Sequence, residues 1–122
     1  MDTIVIKGLR CLANVGLSKE ERLHRQELRI DIRLNVDLTA TGDDLDRSVD
    51  YESAVLLVED EISRAPHRLI ETVAERIADR LLRQSGVLGV EVRVKKFPAS
   101  LAGRLSFVAA VIRRGKTHRS DS

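Results

Sequence analysis

The chain reads as an α+β domain of two layers, with the element order ββααββ: a four-stranded antiparallel sheet carrying two helices on one face. Two stretches predict this. In residues 26–38, Leu28, Ile30, Ile32, Leu34, Val36 and Leu38 alternate with Arg29, Asp31, Arg33, Asn35 and Asp37. That period of two describes a strand with one covered face and one polar face. In residues 69–82 the apolar pairs Leu69/Ile70, Val73/Ala74, Ile77/Ala78 and Leu81/Leu82 recur every four residues. That spacing is the stripe of an amphipathic helix. Two hairpins on either side of a helical pair fold most simply into one sheet with its helices segregated to one face.

The elements follow in order. Residues 3–15 form a first strand interrupted by Gly8, and Gly16 to Arg25 links it to the strand of 26–38. Residues 41–46 (Thr, Gly, Asp, Asp, Leu, Asp) have loop composition. A helix opens near Asp50, a good capping residue, and runs to about Arg64 with Val55, Val58 and Ile62 inward. Pro66 sits where a second helix can begin, and Gly86 where it can stop. Residues 88–96 give the third strand, Pro98 to Gly103 a turn, and Leu105 to Arg113 the last strand. The domain is expected to occupy residues 1–114. Residues 115–122 have little to bury and are expected to be a disordered basic tail.

At 122 residues the chain fits one domain and can bury a core without staples. Tyr51, Phe97 and Phe107 are its only aromatics, so the stacking platforms of single-stranded nucleic-acid binders are missing. The net charge of +2 is mild. Cys11 stands alone, which excludes an intrachain disulfide, and its neighbours suggest a half-buried strand residue rather than a nucleophile. The chain shows neither a secretory leader nor an apolar run of membrane-spanning length, so the expectation is a cytoplasmic protein without membrane contact.

Lys96 is the best single candidate for chemistry. Alternation puts Leu88, Val90, Val92, Val94 and Lys96 on the face that meets the core. A charged amine there must reach a cleft, find a carboxylate or lose its proton. It can also simply snorkel out where the strand ends. Glu71, early in the second helix, can interact with the helix dipole or bind a ligand. Tyr51 can be a staple at the start of the first helix. Glu21 lies in a polar connection where a charge is unremarkable.

Together these residues form a pattern. Gly16 is followed by Glu21 and Arg22, then Gln26 opens the long strand. Next come Val49, Asp50 and Tyr51, then the run from Leu69 to Ala78 around Glu71, and finally Val94, Lys95 and Lys96 before Pro98 and Ala99. In order and spacing, from about Thr3 to Arg114, the chain resembles the dihydroneopterin aldolases. The resemblance implies the tunnelling fold, in which subunits join their sheets into a ring and two rings commonly stack into a homo-octamer. The charged face of residues 29–37 would then line the tunnel rather than a plain solvated surface. It implies sites between subunits, with Tyr51 acting in a neighbour's pocket. The substrate would be a small pterin: 7,8-dihydroneopterin, cleaved to 6-hydroxymethyl-7,8-dihydropterin and glycolaldehyde on the way to folate. Glu71, helped by the backbone at Ile70, would anchor the pterin. Lys96 would move protons, Tyr51 would stack and assist proton transfer, and Glu21 would hold the hydroxyl tail or orient Lys96. No cofactor is implied, neither metal nor Schiff base.

Two departures bear on this. Many relatives have proline directly after the lysine, whereas Phe97 intervenes here. The last strand, through Phe107, Val108, Ala109 and Ala110, lacks a common Gly-Val pair. Both traits lean toward the sister dihydroneopterin triphosphate 2′-epimerases; aldolase is favoured. His24, His67 and His118 are too scattered in sequence for the zinc site used by other enzymes of this fold. A non-enzymatic RNA- or protein-binding module would need basic excess and aromatics on the polar sheet face. Arg29 and Arg33 there are balanced by Asp31 and Asp37, so no nucleic-acid partner is expected.

Overall fold

The computed structural model describes residues 2–64 and 66–116. Strand β1 (Asp2–Ala13) leads through a short helix α1 (Lys19–Arg22) to β2 (Gln26–Val36); helices α2 (Tyr51–Ser63) and α3 (Ile70–Leu82) follow, then β3 (Gly89–Lys96) and β4 (Val108–Gly115). The sheet runs β1-β2-β3-β4 with every neighbouring pair antiparallel. The expected α+β order ββααββ is present, with α1 added in the first connection. Strand β4 reaches Gly115, and the Lys116 N–H donates to Leu88 O at 3.1 Å. The rest of the expected tail, residues 117–122, lies outside the described residues.

The alternation in β2 does what its pattern requires: Leu28, Ile30, Ile32 and Leu34 are fully buried, with Val36 almost so. Val73, Ala74, Ile77, Ala78 and Leu81 of α3 pack onto the same core, joined by Ala54 and Val58 of α2. Each large side chain removed from water in this way stabilises the fold by about 1.5–3 kcal/mol. Val55, expected inward, is only half-buried, because Ala54 takes the innermost position on α2. Leu88, expected on the core face, is exposed: it lies just before β3, and the neighbouring Val87 is buried in its place.

The opposite face is knit by charge. Asp31 meets Lys95 at 3.2 Å and accepts the Gly8 N–H at 2.8 Å. Gly8 lies at φ +75° in a bulge between Ile6 and Leu9, which is the interruption expected in β1. On the helical side, one expectation is corrected. Residues 66–69 are not helical, and α3 begins at Ile70. Instead the His67 N–H donates to Asn14 O at 3.1 Å and the Gly16 N–H to His67 O at 3.0 Å. This parallel bridge between Val15 and His67 uses the backbone groups that a helix starting at Pro66 would have claimed.

Candidate active site

Lys96 ends β3 on the last rung of the ladder, opposite Leu28 on one side and Val108 on the other. Its side chain is only 16% exposed, and Nζ donates to Glu21 Oε2 at 2.6 Å. Of the outcomes open to a core-facing amine, this one found a carboxylate. The hydrogen bond from Lys96 is the main reason the Glu21 carboxyl sits below its usual range, partly offset by desolvation. At neutral pH the pair therefore presents an amine and an ionised acceptor side by side.

The chain between β1 and β2 is shaped to deliver Glu21. Ser18 caps α1 by accepting the Glu21 N–H at 3.0 Å. Arg22 Nη1 donates back to Gly16 O at 3.0 Å and Leu17 O at 2.9 Å, and Asn14 Nδ2 donates to Arg22 O at 3.0 Å. Gln26 Nε2 donates to Val15 O at 2.6 Å and lies 3.4 Å from the Glu21 carboxylate. Gly16 leaves room for Glu21: a Cβ there would stand 2.4 Å from the Glu21 carboxylate and push it out of its place beside Lys96. The spacing of Gly16 and Glu21 thus has a steric cause. The small helix α1 was legible as the capping signature of Ser18 with an acid three residues on, a signal the reading above passed over.

Glu71 lies exposed in the first turn of α3, one residue after the buried Ile70. Leu69 occupies the N-cap and supplies no side-chain hydrogen bond. Helix α3 therefore starts with backbone N–H groups that have no intrahelical partner. Among the described residues Glu71 makes no ion pair or side-chain hydrogen bond. The Val15–His67 bridge ties this helix start to the segment carrying Glu21, while Gln26 links Val15 onward toward the Lys96 pair.

Tyr51 stands elsewhere. It opens α2, 60% exposed, and its neighbours Val49, Asp50 and Ser53 share a recess with Gln84 and Ser85 beyond the end of α3. A helix of 13 residues separates that end from Glu71, about 20 Å. Within one copy, Lys96 and Glu21 meet, the Glu71 helix start is stitched to them, and Tyr51 is remote.

Beside the Lys96–Glu21 pair opens a cleft of about 630 Å³, lined among others by Ser18, Glu21, Gln26, Phe97 and Pro98. Phe97, the departure after Lys96, meets Phe107 edge-on at 6.3 Å, and Lys95 Nζ lies 5.1 Å from the Phe107 ring centre. The residue after Lys96 is thus braced by Phe107, just before β4, rather than being a proline. His24 is exposed on this cleft and His67 is buried. Among the described residues no cluster of three or more His, Cys, Asp or Glu side chains could hold a metal ion. Burial pushes the Cys11 thiol up to about 11, with Glu59 adding to the shift, which suits a packed strand residue and not a nucleophile. No helix among the described residues is long and apolar enough to cross a membrane.

Sequence and fold comparisons agree with one another. The dihydroneopterin aldolase family profile matches residues 4–113. A dihydroneopterin aldolase of Streptomyces coelicolor is 36% identical, with 95% of this chain and 99% of the relative covered. That of Bacillus subtilis is 30% identical over 96% and 100%. The crystal structure of Escherichia coli dihydroneopterin aldolase in complex with neopterin superposes with a TM-score of 0.86 at 27% identity, covering 94% of this chain and all of that one. The tunnelling fold expected from the sequence is the fold of these neighbours. Profile, relatives and architecture converge, and the chain belongs to the dihydroneopterin aldolase family.

Proposed function

We propose that the chain cleaves 7,8-dihydroneopterin by a retro-aldol reaction, releasing 6-hydroxymethyl-7,8-dihydropterin and glycolaldehyde in folate synthesis. The observation that carries this is the 2.6 Å contact between Lys96 and Glu21 at the edge of the cleft. Cleavage removes a proton from a side-chain hydroxyl, breaks the adjacent carbon–carbon bond and returns a proton to the carbon left attached at C6. A positioned donor and acceptor suit both transfers. The electron pair released by the broken bond moves into the N5=C6 imine of the dihydropterin. With that sink in the substrate, the step needs neither a lysine Schiff base nor a metal.

Recognition falls to the start of α3. The Glu71 carboxylate can accept both hydrogen bonds from the 2-amino and ring N–H edge of a pterin. Uncapped backbone donors beginning at Ile70 supply the complementary polarity for a ring carbonyl. Tyr51, remote in its own copy, completes the site of a neighbouring copy by stacking on the pterin and joining proton transfer. The assembly is a homo-oligomer, a tetrameric ring or a pair of rings forming an octamer, with the polar face of β2 inward. The test is incubation with dihydroneopterin and, separately, its triphosphate, followed by chromatography. Glycolaldehyde from the unphosphorylated compound is the expected result. Epimerised triphosphate without glycolaldehyde would identify a 2′-epimerase instead.

A further inference from the structure

Among the described residues two buried polar side chains, His67 and Glu61, are left unused by the chemistry above. The His67 side chain is 3% exposed, and Nε2 finds no hydrogen-bond partner. The nearest carboxylate, Glu61 Oε2, stands at 3.8 Å, too far for a hydrogen bond. Glu61 is itself buried and held by Arg80 Nη1 at 3.2 Å, which also bonds Asp60 at 2.9 Å. The ring is therefore fixed against a rigid pair from α2 and α3. Its backbone makes the two hydrogen bonds to Asn14 and Gly16, and three residues later α3 begins. One side of His67 thus leads to Glu21 and Lys96, the other to Ile70 and Glu71. The geometry points to His67 as a positioning residue that sets the spacing between the pterin anchor and the proton-transfer pair. This rests on the site assignment made above.

The groups facing the ring are Glu61, with Asp60 behind it, from α2 and Arg76 and Arg80 from α3. Burial chiefly, and Arg76 next, hold the His67 pKa below its ordinary 6.5, against the opposing pull of Glu61. The ring is neutral at pH 7. Protonation at lower pH creates a charge that closes on Glu61 and drags the bridge with it. The sign for stability follows: an unfolded chain takes up the proton first, so the contribution is present above 6.5 and is lost as pH falls through 6.5 toward the folded value.

The experiment uses the assembled enzyme with His67→Phe, His67→Gln and Glu61→Gln, reading kcat per folded site, Kd for the product pterin and the pH profile of both. His67→Phe and His67→Gln are expected to lower kcat and weaken product binding together, each about tenfold, as small misplacements of reacting groups do. His67→Phe is expected also to remove any loss of activity that sets in below pH 6.5 through this ring, the acid limb of the profile. Glu61→Gln is expected to move that limb to lower pH, because it removes the charge favouring the imidazolium. Variants that lose melting temperature while keeping kcat, product Kd and the acid limb would overturn the inference. If Lys96→Ala and Glu71→Gln are silent as well, the site assignment fails rather than the role of His67.

Discussion

The two long helices begin in opposite ways. At α2, Asp50 accepts the N–H groups of Glu52 and Ser53 at 3.0 and 3.3 Å, and Ser53 Oγ donates to its second oxygen at 3.0 Å. At α3, the half-exposed Leu69 takes the same position and offers no oxygen. Helix ends are ordinarily completed by such side chains. The chain completes the α2 start with its own side chain; at α3 it does not, and the proposed site gives those donors to a ligand. The uncapped end is the one stitched to Lys96 and Glu21, so missing local satisfaction and the proposed chemistry fall in the same place.

The sharpest way to break this contrast is at the chemical side of the α3 end. Lys96→Ala is expected to leave the oligomer intact by light scattering and to lower kcat by at least about a hundredfold, the scale of a lost proton-transfer group. Near-normal turnover would remove Lys96 from the mechanism. Next in size, Glu71→Gln should weaken product pterin about ten- to a hundredfold in calorimetry, since it replaces charge-assisted hydrogen bonds with neutral ones. Unchanged affinity would leave the α3 start without a ligand. The smallest effects exchange the caps. Asp50→Ala should cost about 1 kcal/mol in urea unfolding. Leu69→Ser should stabilise by a similar amount yet weaken pterin binding, because the new oxygen occupies donors meant for the substrate. Equal or tighter binding by Leu69→Ser would contradict the idea that those donors are reserved.

How much of this was legible depended on whether the cause was local. Strand β2 could be read from its alternation because one face meets only core and the other only charge. The stripe of α3 was equally plain from Val73 to Leu81. Its start was not: Pro66 suits a first helical turn, but the backbone of His67 is taken by Asn14 and Gly16, partners no local pattern reveals. The core-facing parity of Lys96 left a cleft, a carboxylate, proton loss and snorkelling all open, and the family resemblance offered Glu21 either as a holder of the hydroxyl tail or as the group orienting Lys96. Gly16 appeared as a motif position before its cause, contact with that carboxylate, was visible. His67 gave no signal at all, since a lone histidine in a polar segment has no period. Tyr51 was marked by resemblance, and in a single copy it stands exposed at the start of α2, away from Lys96 and Glu21.

The bridge between Val15 and His67 joins segments about fifty residues apart. Closing so long a span costs chain entropy that only contacts made at closure can offset. The hairpin of β1 and β2 and the turns of α2 need only nearby pieces, but the Glu71 helix start is tied to the Lys96–Glu21 pair only once that span has closed. Local helix formation alone therefore does not bring Glu71 and the Lys96–Glu21 pair together; the long-range closure does.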